Sequence, residues 1–168
     1  MQQHKPLLFQ PLLAAHWQQV RRIYLEGIAT GQATFQQEAP EWEAWDAGHL
    51  PHSRLVAMEG GEVVGWVALS PVSARVVYRG VAEVSIYVGA HHRGKGFGYL
   101  LLQQLVQESE QNGIWTLQAS IFPQNKASVR IHEQCGFRLL GRRERIGQQN
   151  GTWRDTLILE RRSNIVGI

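Results

Sequence analysis

Apolar positions recur along this chain with two different periods, one suited to strands and one to helices. Residues 5–10 form a short apolar run that predicts a first strand. Residues 14–30 carry Trp17, Val20, Ile23, Tyr24 and Ile28 at helical spacing, with Arg21, Arg22 and Glu26 between them. A second, shorter helix is predicted over 41–50, stopped ahead of Pro51. Residues 54–59 and 62–69 flank Gly60-Gly61, a two-residue hairpin signal. Residues 82–88 (AEVSIYV) are β-branched and aromatic and predict a strand. Residues 96–112 predict a long amphipathic helix that buries Leu100, Leu101, Leu105 and Val106 and ends at Gly113. A strand over 114–121 follows, then a helix over 125–135 with Asn125 as N-cap and Gly136 as stop. Strands over 138–146 and 152–161, joined by a turn containing Asn150-Gly151, complete the pattern. The order β-α-α-β-β-β-α-β-α-β-β predicts an α/β (α+β) architecture, a mixed central sheet with helices on both faces.

No repeat, low-complexity tract or linker interrupts this order, so residues 1–168 read as a single domain with one core. A hydrophobic share of 43% with 18% charged residues is a globular balance and argues against disorder. No apolar run approaches the roughly 18 residues that cross a bilayer, and the first residues lack the apolar stretch of a secretion signal. Cys135 is the one cysteine, which leaves no internal disulfide, so a cytoplasmic protein is expected. The formal charge of +3 is scattered over pairs such as Arg21-Arg22, Arg142-Arg143 and Arg161-Arg162. Without a basic stripe, neither nucleic acid nor membrane is an expected partner, while a small anionic ligand needs only a few such charges.

Candidate chemistry concentrates after Val88, where the chain runs Gly-Ala-His-His-Arg-Gly-Lys-Gly-Phe-Gly-Tyr. A strand ends, glycines crowd a turn and a helix begins. That arrangement lets backbone N–H groups converge on a phosphate at the positive end of a helix; the plainer alternative is a turn whose glycines serve close packing. A P-loop reading of Gly89-x-x-x-x-Gly94-Lys95 fails because Gly96 stands where Ser or Thr must hold magnesium. A dinucleotide fingerprint fails because Gly94-x-Gly96 is followed by Tyr99 rather than glycine, and no acid lies near Ile114 to take a ribose. Arg93-Gly94-Lys95-Gly96-Phe97-Gly98 remains. Downstream, Asn125, Ser128 and His132 share one helix face at i, i+3 and i+4 spacing, and that helix stops at Gly136-Phe137.

These two motifs resemble the acetyl-CoA site of the GNAT acetyltransferases, in which an Arg-x-x-Gly-x-Gly loop holds the pyrophosphate and an Asn-x-x-Ser helix lies along the pantetheine arm. With Glu83–Val88, Thr34-Phe35, Ile121-Phe122-Pro123-Gln124-Asn125 and Gly151-Thr152-Trp153-Arg154-Asp155, the likeness extends over nearly the whole chain. It narrows to the phosphinothricin and methionine sulfone (sulfoximine) acetyltransferase group, from whose pattern Val81-Ala82 and Val76-Val77 depart. The resemblance implies acetyl-CoA as co-substrate and no metal. It places the cofactor on Ile86, Tyr87, Val88, Arg93, Gly94, Lys95, Gly96, Phe97, Gly98, Tyr99, Asn125 and Ser128. It also implies N-acetylation of a small amino-acid-like amine, and a homodimer.

Such a transfer needs a neutral amine, and ordinary amines titrate at about 8 to 10. Glu83 is the candidate base, its alternative being a salt-bridged strand glutamate. A backbone N–H near Val88 is the candidate donor to the oxyanion. His132 is a candidate proton donor to the departing thiolate, or else a histidine bonded within its own helix. Ser85 alternates with Glu83 along one strand face, with Val84 between them. By the resemblance, Arg75 with Ser73 and Ala74, and Arg79, are candidates to clamp an acidic group of the substrate. Phe35 suits an apolar pocket wall or the core. His49 with His52 and His91 with His92 have no partners at metal-ligand spacing, and Cys135 reads as packing rather than nucleophile. Two other functions stay open: acetylation of protein N-termini or other amines, and a non-catalytic acyl-CoA-binding domain.

Overall fold

The computed structural model describes residues 6–168, so Lys5 of the first expected strand lies outside the described residues. The elements run β1 (Leu7–Pro11), α1 (Trp17–Ala29), α2 (Trp42–Ala47), β2 (Leu55–Glu59), β3 (Glu62–Pro71), β4 (Val81–Val88), α3 (Phe97–Gln111), β5 (Thr116–Ile121), α4 (Lys126–Gln134), β6 (Arg138–Gln149) and β7 (Thr152–Arg162). This is the order read from periodicity. Both short hairpins use paired left-handed residues, Gly60 and Gly61 at φ 61° and 88°, and Asn150 and Gly151 at φ 50° and 77°.

Boundaries shift where tertiary contacts outweigh local pattern. Ala14–His16 forms a separate 3-10 turn ahead of α1. α2 ends at Ala47 because the chain turns back to the sheet, where the Leu50 N–H donates to the Leu69 carbonyl at 2.8 Å. β6 outruns its expected end at 146 and stays paired through Gln149. On α3 the buried face is Leu101, Leu102, Leu105 and Val106, whereas Leu100, expected to be buried, is 40% exposed. The helix presents its apolar stripe one residue further round than the pattern suggests.

One seven-stranded sheet, ordered β1-β2-β3-β4-β5-β7-β6, holds the molecule together. All neighbours are antiparallel except β4 and β5, which α3 connects. Along β3 successive side chains enter opposite cores. Val67 and Leu69 pack with α3, Phe137 and Leu159. Trp66 and Ala68 pack with Trp17, Val20 and Ile23 of α1 and Trp45 of α2. Helices therefore cover both faces, and β3 is buried on both sides from Val63 to Leu69.

Candidate active site

Pairing between β4 and β5 covers only Val81–Glu83 against Thr116–Gln118. Beyond that point β4 stays with β3 as far as Val88, and β5 stays with β7 as far as Ile121. The two parallel strands part, and a wedge opens in the middle of the sheet. Two cavities of about 430 and 460 Å³ meet in it, sharing Ala33, Ile86, Tyr87, Asn125 and Ser128.

The larger cavity is built by the glycine loop. Gly94 and Gly96 sit at φ 76° and 82°, a conformation that strains any residue with a Cβ. Gly96 caps α3 with no side-chain acceptor, and no acid stands in the first turn. The first N–H groups of the helix are thus free for an anion. Of the expected cofactor residues, Ile86, Tyr87, Val88, Arg93, Gly94, Gly96, Phe97, Gly98, Tyr99, Asn125 and Ser128 line this cavity, while Lys95 does not. Asn125 caps α4 by accepting the Ser128 N–H at 3.2 Å. The donor set fits the pyrophosphate and pantetheine of acetyl-CoA. Sequence reasoning missed Gly27, Thr30 and Gln32 at the end of α1, and Arg130 and Ile131 on α4. One signal was available: Gly27 interrupts an apolar helical run, and a Cβ there would lie 2.5 Å from Tyr87 Cδ1.

The smaller cavity contains Glu83, Val84, Ser85, His132 and Phe35. Glu83 is half-buried, and its Oε2 accepts a hydrogen bond from Gln118 Nε2 at 2.9 Å. His132 is 1% exposed and packs edge-on against Phe137. Its Nδ1–H donates to the Ser128 carbonyl at 2.7 Å, while Nε2 is buried with no partner among the described residues. Burial lowers its pKa below the ordinary histidine value, opposed by that backbone bond. The ring is therefore a neutral Nδ1–H tautomer with a free lone pair on Nε2. In that state it begins as an acceptor, and can return a proton to a thiolate only after taking one up. Burial pushes the Cys135 thiol up to about 11, as suits a packing residue.

Ser73, Ala74, Arg75 and Arg79 line neither cavity. The 3-10 turn Val76–Tyr78 leads into β4 at the end where β4 and β5 are still paired, away from the wedge. The Arg75 guanidinium lies over the Tyr78 ring at 5.4 Å, and that of Arg79 over Trp115 at 5.5 Å. The far wall of the small cavity comes instead from Arg143, Ile146 and Thr156 of β6 and β7. Arg154 ties this wall to the rest. It donates to Gly31 O at 2.8 Å, Gln32 Oε1 at 2.7 Å, Gln124 Oε1 at 3.3 Å and Gln149 Oε1, and covers the Phe122 ring at 3.9 Å. Among the described residues, no three His, Cys, Asp or Glu converge to hold a metal ion. Nor, among the described residues, is any helix long and apolar enough to cross a membrane.

The model of the acetyltransferase (GNAT) family matches residues 14–137. The chain belongs to the GNAT acetyltransferase family. It is 35% identical over 107 residues to the L-methionine sulfoximine/L-methionine sulfone acetyltransferase of Pseudomonas paraeruginosa, covering 63% of this chain and 62% of that protein. The match thus spans less than two thirds of that relative's length. The phosphinothricin N-acetyltransferase of Alcaligenes faecalis is 32% identical, with 86% of this chain and 77% of that one aligned. Among solved structures, a GNAT superfamily phosphinothricin acetyltransferase from Sinorhizobium meliloti in complex with AcCoA superposes with a TM-score of 0.85 at 28% identity, over 96% of this chain and 90% of that one. A ribosomal-protein-alanine N-acetyltransferase from Brucella melitensis gives 0.84 at 27%, over 93% and 99%. The wedge and glycine loop of this GNAT chain are the places where such a cofactor fits.

Proposed function

We propose that this GNAT chain moves an acetyl group from acetyl-CoA to the amine of a small amino-acid-like acceptor of the phosphinothricin, methionine sulfone or methionine sulfoximine type. The observation that carries this reading is the junction of two cavities in the wedge. An uncapped helix N-terminus lies on one side, and Glu83 and His132 lie on the other. Acetyl-CoA supplies a thioester carbonyl for the amine to attack and a thiolate that leaves.

The chain's own residues manage the protons. Glu83, directly or through water, takes one from the acceptor's ammonium, and Gln118 holds its carboxylate in place. A backbone N–H at the Val88 end of β4 faces the negative charge that develops on the carbonyl oxygen. Nε2 of His132 accepts the second proton as the C–N bond forms, and returns it to sulfur as the C–S bond breaks. Phe35, packed edge-to-face on Phe122 at 4.9 Å, closes the apolar side of the acceptor site.

Thiol release from acetyl-CoA tests the reading. Methionine sulfone, methionine sulfoximine and phosphinothricin are expected to support turnover well above amino-terminal peptides. The similarity to a ribosomal-protein-alanine N-acetyltransferase favours one second reading, a protein N-terminus as acceptor, and preferential turnover of alanine-initiated peptides would select it. Binding of acetyl-CoA without turnover of any amine would leave a non-catalytic acyl-CoA-binding domain.

A cytoplasmic homodimer completes the proposal. Of the six tryptophans only Trp153 is well exposed, at 57%, too little on its own to form an interface. Support comes instead from Val76 and Val77, 73% and 61% exposed beside Tyr78, and from Leu139 and Leu140 on β6. Sedimentation should give about twice the 19.0 kDa chain mass; a monomer at micromolar concentration would remove the dimer.

A further inference from the structure

Residues 31–36, between α1 and α2, form a strap along the wedge. Gln32 and Ala33 line the larger cavity, and Ala33, Thr34, Phe35 and Gln36 line the smaller one. The strap belongs to no helix or strand. Among the described residues, no backbone–backbone hydrogen bond joins residues 32–36 to another part of the chain. Side chains hold it instead. Asn125 Nδ2 donates to Gln32 O at 3.2 Å, Gln149 Nε2 donates to Thr34 O at 3.1 Å, and Tyr24 and Tyr87 bond the Thr34 hydroxyl. Phe35 rests on Phe122, and a Cβ at Gly147 would lie 2.9 Å from its Cζ.

Arg154 organises these anchors. Register places it opposite Gly147, whose missing side chain leaves room for Phe35. Its guanidinium donates to Gly31 O and Gln32 Oε1 on the strap, to Gln124 Oε1 beside the Asn125 anchor, and to Gln149 Oε1. The last bond turns the Gln149 amide so that its Nε2 reaches Thr34 O. The guanidinium also lies over Phe122 at 3.9 Å, on the ring against which Phe35 packs. Every anchor but the two tyrosines therefore runs through or beside Arg154.

All of these acceptors are neutral, and among the described residues no carboxylate lies within ion-pair distance of Arg154. Half-burying a cation without a counter-charge costs free energy, which sets Arg154 apart from Arg138, Arg142 and Arg161, each paired with a carboxylate. A carboxylate would draw the fork into one bidentate pair. Neutral oxygens let its separate N–H groups fasten the strap, the loop before α4 and the end of β6 together.

We infer that Arg154 is a positioning residue for the acceptor, fixing the strap so that Thr34 and Phe35 enclose the small cavity with Glu83. Transfer depends steeply on such placement, since a shift of about 1 Å can cost roughly 10²-fold. The inference rests on the acetyl transfer proposed above.

Steady-state kinetics with methionine sulfone, calorimetry with acetyl-CoA and thermal melts test it on wild type, Arg154→Ala, Arg154→Lys, Gln149→Ala and Arg161→Ala. Arg154→Ala should raise KM for the acceptor roughly tenfold. The Kd for acetyl-CoA should stay within about threefold, because the glycine loop carries the phosphates. Arg154→Lys keeps the charge but cannot span the separate acceptors, so it should fold and still show most of that rise. Gln149→Ala removes one anchor and should raise KM about threefold. Arg161→Ala breaks the ion pair with Glu110 further along the same strand, and should lower Tm without moving KM. If Arg154→Ala does not fold, the lysine variant decides. An unchanged KM in the Arg154 variants, full rescue by lysine, an equal loss of acetyl-CoA affinity, or a matching KM rise in Arg161→Ala would overturn the inference. A wild type without turnover would instead defeat the proposed function, a result distinct from an active wild type whose KM the Arg154 variants share.

Discussion

Replacing Glu83 by glutamine is expected to lower kcat by about 10²-fold or more at neutral pH while leaving acetyl-CoA affinity near wild type. The substitution is nearly isosteric, and a glutamine oxygen can still accept the 2.9 Å hydrogen bond from Gln118. β4 and β5 should therefore stay paired at their last register position, Glu83↔Gln118. What disappears is the carboxylate that removes a proton from the acceptor. An amine that titrates at about 8 to 10 is mostly ammonium at pH 7, so the reactive form becomes scarce without a base. Raising the pH supplies the free amine from solution, and the deficit should shrink steadily toward pH 9 to 10. Two pH–rate profiles decide the matter. If they run parallel with similar kcat, Glu83 is a structural strand residue and the proton leaves by another route, with His132 Nε2 the next candidate.

The parts of this site that the sequence displays are those in which neighbours in space are neighbours in the chain. The glycine loop, the first turn of α3 and the Asn125–Ser128–His132 face of α4 are each contiguous, so spacing alone gathers them. The far wall depends on long-range register. Thr156 and Arg143 meet only because β6 and β7 pair with a bulge, and Arg145 adopts φ 46° with no glycine to announce it. Arg154 is equally silent in sequence, since its partners lie on loops at Gly31, Gln32 and Gln124. The state of His132 was also hidden. Spacing put it on the cofactor face, but only burial and the bond to Ser128 O make it a neutral acceptor. For the fold itself, periodicity recovered every α-helix and strand in order, because the strands are rich in β-branched and apolar residues and the helices carry clear stripes. It erred at edges such as Leu100, where adjacent leucines leave the direction of the stripe ambiguous by one residue.

Gly96→Asp is expected to weaken acetyl-CoA binding by roughly 10²-fold, and Gly96→Asn by far less. Both substitutions place a Cβ on a residue at φ 82°, and both side chains have nearly the same size, so backbone strain is common to the pair. Nothing lies within 4 Å of the position a Cβ would occupy, so neither side chain meets a wall. The difference between them is one negative charge beside the uncapped N-terminus of α3, where the pyrophosphate would lie. Without ligand that charge suits the helix end, so Gly96→Asp should fold at least as well as Gly96→Asn. With ligand it competes for the same N–H groups and repels the phosphates. Calorimetry on both variants with acetyl-CoA, and with S-acetylpantetheine, which has no phosphates, separates these effects. The gap between Asp and Asn should narrow as salt screens the repulsion, and should vanish for the phosphate-free thioester. Equal affinities of the two variants for acetyl-CoA at low salt would mean that the pyrophosphate lies elsewhere and that the glycines serve packing alone.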